Sequence, residues 1–188
     1  MSNGTAFKPH EIVGATAAST AAGHDPVYVG NDFMGVTWLS EAGAGSRALV
    51  IDLGSDLPFD TIAIFGLHGA QPGWTLTVEA ATAAQGSGFP GGSWSGSAIT
   101  LLAGEDMPTS GLGKALWLAP DVAPPPASRY IRLTFGSLSN AAVEVARVAI
   151  GARLKLNRNF VYGAGFGLRD LGSGDGALGN VAPGFQLG

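Results

Sequence analysis

The chain has 188 residues, of which 46% are apolar and only 13% charged, with 30 glycines, no cysteine and a net charge of −4. That apolar content excludes a disordered chain, and the missing cysteine excludes a disulfide framework and a thiolate zinc site. No apolar run approaches the roughly 20 residues of a membrane-spanning helix.

The opening residues, MSNGTAFKPHE, lack a basic stretch followed by an apolar core. They therefore carry no secretory signal, and the chain is expected to be made and kept in the cytoplasm. Residues 1–11 read as a loose lead-in. Residues 12–20 (IVGATAAST) read as an edge strand, and Gly23-His24-Asp25-Pro26 as a turn. Val27-Tyr28-Val29 reads as a short strand turned by Gly30-Asn31-Asp32. Residues 36–40 (VTWLS) form a β-rich segment anchored by Trp38.

Residues 48–54 (ALVIDLG) and 57–66 (LPFDTIAIFG) read as two buried strands around a Gly54-Ser55-Asp56 turn. Residues 74–80 (WTLTVEA) alternate with period 2, the pattern of a half-buried strand. Residues 84–97 form a Gly/Ser loop that holds two aromatic residues, Phe89 and Trp94. Further strands follow at 98–102, 114–118, 128–135 and 143–150, the last stopped by Gly151. The prolines of residues 120–126 exclude that stretch from a sheet centre. Helical periodicity is nearly absent. Many short strands joined by Gly/Pro turns imply an all-β, antiparallel sandwich.

Beyond Gly151 the composition changes. Residues 147–188 hold five basic and two acidic groups, net +3, whereas residues 1–146 carry net −7. Residues 152–188 are Gly-dense and cannot build a core, yet apolar side chains recur in them. They read as an extended C-terminal arm that orders on a partner through Leu156, Asn159, Phe160, Tyr162, Phe166 and Arg169. The chain thus divides into a lead-in (1–11), a sandwich (12–151) and an arm (152–188). No dense Lys/Arg patch with interleaved aromatics points to nucleic acid.

The three histidines, His10, His24 and His68, have no metal-ligand spacing, and no GxSxG, HExxH or GxxxxGK[ST] motif is present. Residues 174–179 match GxGxxG, but no strand precedes them and no βαβ unit surrounds them. The sequence therefore implies no catalytic residue. Sugar binding needs exposed aromatic faces with polar neighbours. Trp94, Phe89, His68 and Trp74 are the candidates, with Arg47 or Arg129 as hydrogen-bond donors. Core packing is the competing role for Trp74, Trp38 and Trp117, and Trp94 is the ring expected to be exposed.

The order Ala15–Ser19, Asn31-Asp32, Thr37-Trp38, Val50–Gly54, Thr61–Ile64, Ser128–Leu133 and Val148–Gly151 resembles the discoidin, or coagulation-factor type C, family of galactose-binding-like domains. The resemblance covers roughly residues 12–151. It implies an eight-strand jelly roll that binds sugars or lipid heads through loops at one end, here 30–35, 67–73 and 84–97. It also implies a Ca²⁺ site near Asn31, Asp32 and Thr37. Such families add a late glutamate on the last strand, and this sequence has Ala146-Arg147 there. Residues 145–151, Leu156–Phe160, Tyr162-Gly163, Gly167 and Asp170 are similar to phage and prophage minor tail proteins. That similarity implies a virion component assembled in a bacterial host. Its partners would be other virion or tail proteins, further copies of itself, and host surface polysaccharide. A chain of that kind is expected to run on beyond Gly188. A stand-alone carbohydrate-binding module is the alternative.

Overall fold

The computed structural model describes residues 6–102 and 113–154 in full, and residues 112, 168–170 and 181–183 as backbone. Ala6–Leu154 forms one compact unit. Its strands are β1 (Ala6–Pro9), β2 (Gly14–Ala17), β3 (Trp38–Leu39), β4 (Arg47–Leu57), β5 (Thr61–His68), β6 (Thr75–Ala81), β7 (Trp94–Ser95), β8 (Ile99–Thr100), β9 (Leu112–Leu118), β10 (Ser128–Gly136), β11 (Glu144–Val145) and β12 (Arg147–Leu154). One sheet runs β1-β12-β5-β11-β3, with β9 on β5, and the other runs β2-β4-β10-β6-β7, with β8 on β6. All pairings are antiparallel. The long strands β4, β5, β6, β9, β10 and β12 alternate between the two sheets, so each connection crosses the sandwich as in a jelly roll. Separately, β13 (Leu168–Asp170) pairs with β14 (Val181–Pro183). No helix among the described residues is long and apolar enough to cross a membrane.

Period-2 alternation sends Leu49, Ile51, Leu76, Val78, Ile131, Leu133 and Phe135 inward from one sheet. Ile62, Ile64, Trp117, Val148 and Ile150 meet them from the other. Trp38 tilts against Phe135 with ring centroids 6.1 Å apart, and Phe59 against Trp117 at 6.1 Å.

Four local features differ from the expectation. Residues 26–30 form a 3-10 turn in place of a strand, because Asp25 caps Val27 N–H and Pro26 occupies the first position. Strand β4 continues past Gly54–Asp56 as a bulge, where its pairing with β10 jumps from Asp52–Tyr130 to Leu57–Ser128, and the break comes at residues 58–60, where Pro58 cannot donate to a ladder. β4 and β5 therefore lie in different sheets. Residues 6–9 of the lead-in pair with β12, and the His10 ring donates to Pro58 O at 2.8 Å. Gly151 does not end β12. It pairs with Thr61 and Pro9, and a Cβ there would stand 2.3 Å from Lys8 O, so a glycine is what lets β1 approach. Leu154 is the last residue of the compact unit; Arg153 N–H donates to Asp60 Oδ1 at 2.7 Å.

Candidate functional site

The expected loops do not share one end. Residues 69–73 lead into the start of β6 and residues 82–93 leave its end, and its seven residues separate them by about 20 Å. His68 and Trp74 thus sit at one end, Phe89 and Trp94 at the other. Trp74 is 1% exposed, so it offers no ring face to a ligand and belongs to the core. Trp94 is not the exposed ring either. It begins β7, packs edge-on against Trp117 at 6.0 Å, and its indole N–H donates to Ala123 O at 3.1 Å. Gly96 makes room for that indole: a Cβ there would lie 2.8 Å from the ring. Phe89 is half-buried under the Arg132 guanidinium, 4.4 Å from its ring centroid. Arg47 donates to Glu41 O, Ala44 O and Ser46 O and so clamps its own loop. The arm residues Leu156, Asn159, Phe160, Tyr162 and Phe166, and the Arg169 side chain, lie outside the described residues.

At the His68 end the structure assembles a different group. Residues 25–36 are a succession of tight turns. Asp25 Oδ1 accepts from Val27 N–H at 3.0 Å, Asn31 N–H donates to Tyr28 O at 2.9 Å, and Asn31 Oδ1 accepts from Phe33 N–H at 2.9 Å. These turns project Phe33, 75% exposed, with Met34 at 45%. The loop rests on the outer face of the β5 sheet. Met34 Cε lies 3.3 Å from where a Gly66 Cβ would stand, and Asp32 forms an ion pair with Arg147, which is opposite Phe65.

Gly66 sits at φ +64 in a bulge, and a Cβ on it would lie 2.5 Å from Ala146 Cβ. The bulge re-aims the end of β5 and brings His68 opposite Glu144. Cross-strand partners share a face with Cβ atoms about 5 Å apart. Thr37, 8% exposed, donates its hydroxyl to Glu144 Oε1 at 2.8 Å. The His24 ring Nδ1 lies 3.1 Å from Thr37 O and 3.2 Å from its Oγ1. A carbonyl only accepts, so His24 carries its proton on Nδ1. One run of hydrogen bonds, His24–Thr37–Glu144, therefore ends beside His68, and an exposed aromatic and an Arg–Asp pair belong to the same sheet face.

The residues expected to hold calcium fall in this group but do not form an oxygen cage. Asn31 Oδ1 serves Phe33 N–H, the Asp32 carboxylate meets a guanidinium, and Thr37 Oγ1 is committed to Glu144 and His24. Calcium needs six to eight oxygens, and Arg147 supplies positive charge in their place. Among the described residues no three His, Asp or Glu side chains gather in a metal-binding group.

His24, Phe33, Glu144 and Arg147 are absent from the ligand-binding residues that the sequence suggests. For Phe33 a signal exists: an aromatic between Asn-Asp and Gly is as good a loop marker as the Ser/Gly frame of Trp94. His24 and Glu144 are 120 residues apart and carry none.

No protein-family model and no curated protein sequence matches the chain. Solved structures do match. A truncated AlyQ with CBM32 and alginate lyase domains aligns at TM-score 0.55 and 19% identity, covering 81% of this chain and 35% of that one. This chain thus spans about a third of that protein. Chitosan-binding module 1 of a chitosanase/glucanase from Paenibacillus sp. IK-5 aligns at TM-score 0.53 and 16% identity, over 76% of this chain and 96% of that one. The family 32 carbohydrate-binding module of C. perfringens NanJ, solved with galactose, aligns at 0.53 and 12%, over 73% and 91%. The fold is a galactose-binding-like jelly roll. Two of these structures are named as chitosan- or carbohydrate-binding modules, and at these identities the likeness is one of fold.

Proposed function

We propose that this chain is a non-catalytic glycan-recognition module that its C-terminal arm fastens to a larger particle. The observation that carries the glycan reading is Phe33, 75% exposed on a turn whose neighbours Asp32 and Met34 meet Arg147 and Gly66, on the sheet that also holds Glu144 and His68. A sugar ring needs an aromatic face for its C–H side and fixed donors and acceptors for its hydroxyls. Phe33 supplies the first. Glu144, His68 and the Asp32–Arg147 pair supply the second. The neighbouring modules named for chitosan or solved with galactose support this assignment. Binding of the full chain on a glycan array, followed by calorimetry with the best sugar, tests it. Phe33→Ser should weaken binding at least tenfold, about 1.4 kcal/mol, with an unchanged melting temperature. No binding to any glycan would refute it.

The particle is proposed to be a tailed phage or phage-like virion, assembled in the host cytoplasm, with the sandwich present in several copies and facing the host surface polysaccharide. The Asn-aromatic and Tyr-Gly pattern of residues 157–163 and the net +3 of residues 147–188 support it. The apolar arm residues would be buried on a partner at roughly 25 cal/mol per Å² against an ordering cost of roughly 1–2 kcal/mol per residue. Cutting after Leu154 keeps the Arg153–Asp60 contacts and should leave a folded body that fails to enter particles. Normal incorporation of the truncated chain would exclude this role for the arm.

A further inference from the structure

The outer face of the β4-β10-β6 sheet carries a second constellation, far from Phe33. Tyr130 is opposite Asp52 and Ala81, and Arg132 is opposite Val50 and Glu79. Arg129 grips Asp52 with two hydrogen bonds of 2.8 and 2.9 Å and lies over the Tyr130 ring at 4.9 Å. Arg132 makes a two-point pair with Glu79 and lies over Phe89 at 4.4 Å. Each arginine is thus held by a carboxylate and lies close to an aromatic ring.

Phe89 is the unusual member. Its φ is +50, a left-handed backbone that costs an aromatic residue energy, and Pro90 after it also favours extended backbone there. Non-glycine backbone in this state persists where its surroundings over-determine it. The loop is pinned accordingly. Ala83 N–H donates to Asp56 Oδ1 at 2.7 Å, and the Gln85 side chain accepts from Thr82 N–H at 2.9 Å and donates to Gly92 O at 3.2 Å. Yet Phe89 is not among the residues packed against the core. The strain is therefore not returned as core packing. What it achieves is one ring held 4.4 Å from the Arg132 guanidinium, outside the core.

From this we infer that the sheet face centred on Phe89, Arg132 and Glu79 is a second binding platform, for a neutral polysaccharide chain. The cross-strand row Ser95–Glu79–Arg132–Val50–Thr16 crosses five strands, about 19 Å. Thr77 and Thr134 are opposite one another in a neighbouring row. Two guanidinium groups balance two carboxylates, so the platform has no net charge to draw a polyanion. It offers paired donors and acceptors, hydroxyls and a ring, which match the hydroxyls and C–H faces of sugar units laid across the strands.

The test is affinity electrophoresis of the full chain in gels containing galactomannan or mixed-linkage β-glucan, with alginate as the charged contrast. Wild type should be retarded in a neutral gel at least as strongly as in alginate. Phe89→Gly should weaken retardation at least fivefold while its melting temperature stays level or rises, since glycine adopts the left-handed backbone freely. Arg132→Met, which keeps the side-chain bulk, should also weaken it at least fivefold. Phe33→Ser, at the other end, should leave it within twofold. Migration of wild type like a non-binding protein in both neutral gels would overturn the platform. So would unchanged retardation of Phe89→Gly, or retardation in alginate alone.

Discussion

Residues 25–36 and residues 82–93 are both turn-rich loops, and each carries an aromatic inside a Gly, Asn or Ser frame. In the first, Phe33 stands 75% exposed. In the second region, Phe89 lies against Arg132, and Trp94, just beyond it, packs on Trp117. The difference comes from what lies beneath each loop. Under the first is the bulged surface at Gly66 and Ala146, where the Met34 side chain and not Phe33 makes the contact. Beside the second is an edge of the sandwich where Gly96 leaves a slot for an indole. Exposure of a loop aromatic is therefore decided by the sheet it meets and not by its immediate neighbours in the chain.

The strongest way to break this comparison is to remove the bulge. Gly66→Val puts a branched side chain where even a Cβ would lie 2.5 Å from Ala146 and where φ is +64. It should cost about 3 kcal/mol or more in chemical denaturation and displace the 25–36 loop. Next comes Trp94→Ala, which removes the Trp117 contact and the bond to Ala123 O and should cost about 2–3 kcal/mol. Phe33→Ser should cost under about 0.5 kcal/mol by the same assay. Equal losses for the two would erase the distinction between the loops.

Glu144→Ala leaves the buried Thr37 hydroxyl without its acceptor and should cost about 1–2 kcal/mol. Glu144→Gln, which keeps an acceptor, should recover most of it. The smallest effect is in acid. The side-chain hydrogen bond from Arg129 holds the Asp52 carboxyl below its ordinary 3.8, against burial, which raises it. For Asp60 burial also acts upward, but the Arg153 N–H and guanidinium outweigh it and hold it below 3.8. Both carboxyls are depressed in the folded state, so their contribution is complete above the unfolded value. It is lost as pH falls below 3.8 through the folded values. Asp52→Asn should be slightly less stable at neutral pH and lose less stability between about pH 4 and 2 than wild type. A parallel fall would remove Asp52 from the acid response.

Much of the scaffold is legible in the sequence. The alternation of Ile131, Leu133 and Phe135 against Tyr130, Arg132 and Thr134 is enough by itself to assign the two faces of β10. The breaks are harder to read. Gly54 has a positive φ of +79 yet bulges the strand and does not end it, because β10 pairs with β4 on both sides of the bulge, at Asp52 and again at Leu57. Trp94 reads as exposed because a two-residue strand carries no periodicity.

What the amino-acid order determined by itself is the sandwich: period-2 apolar patterning, Gly/Pro punctuation and the absence of a helical repeat leave few other ways to bury those side chains. What only the tertiary structure decided is which residues meet. His24, Thr37, His68 and Glu144 lie in four separate segments, and the register at Glu144 brings them together. Phe89 and Arg132 are joined by a strained loop closing on a neighbouring strand. Patterning is a local property, because each side chain answers to water or core. A binding site depends on long-range register, which exists once the sheets have closed.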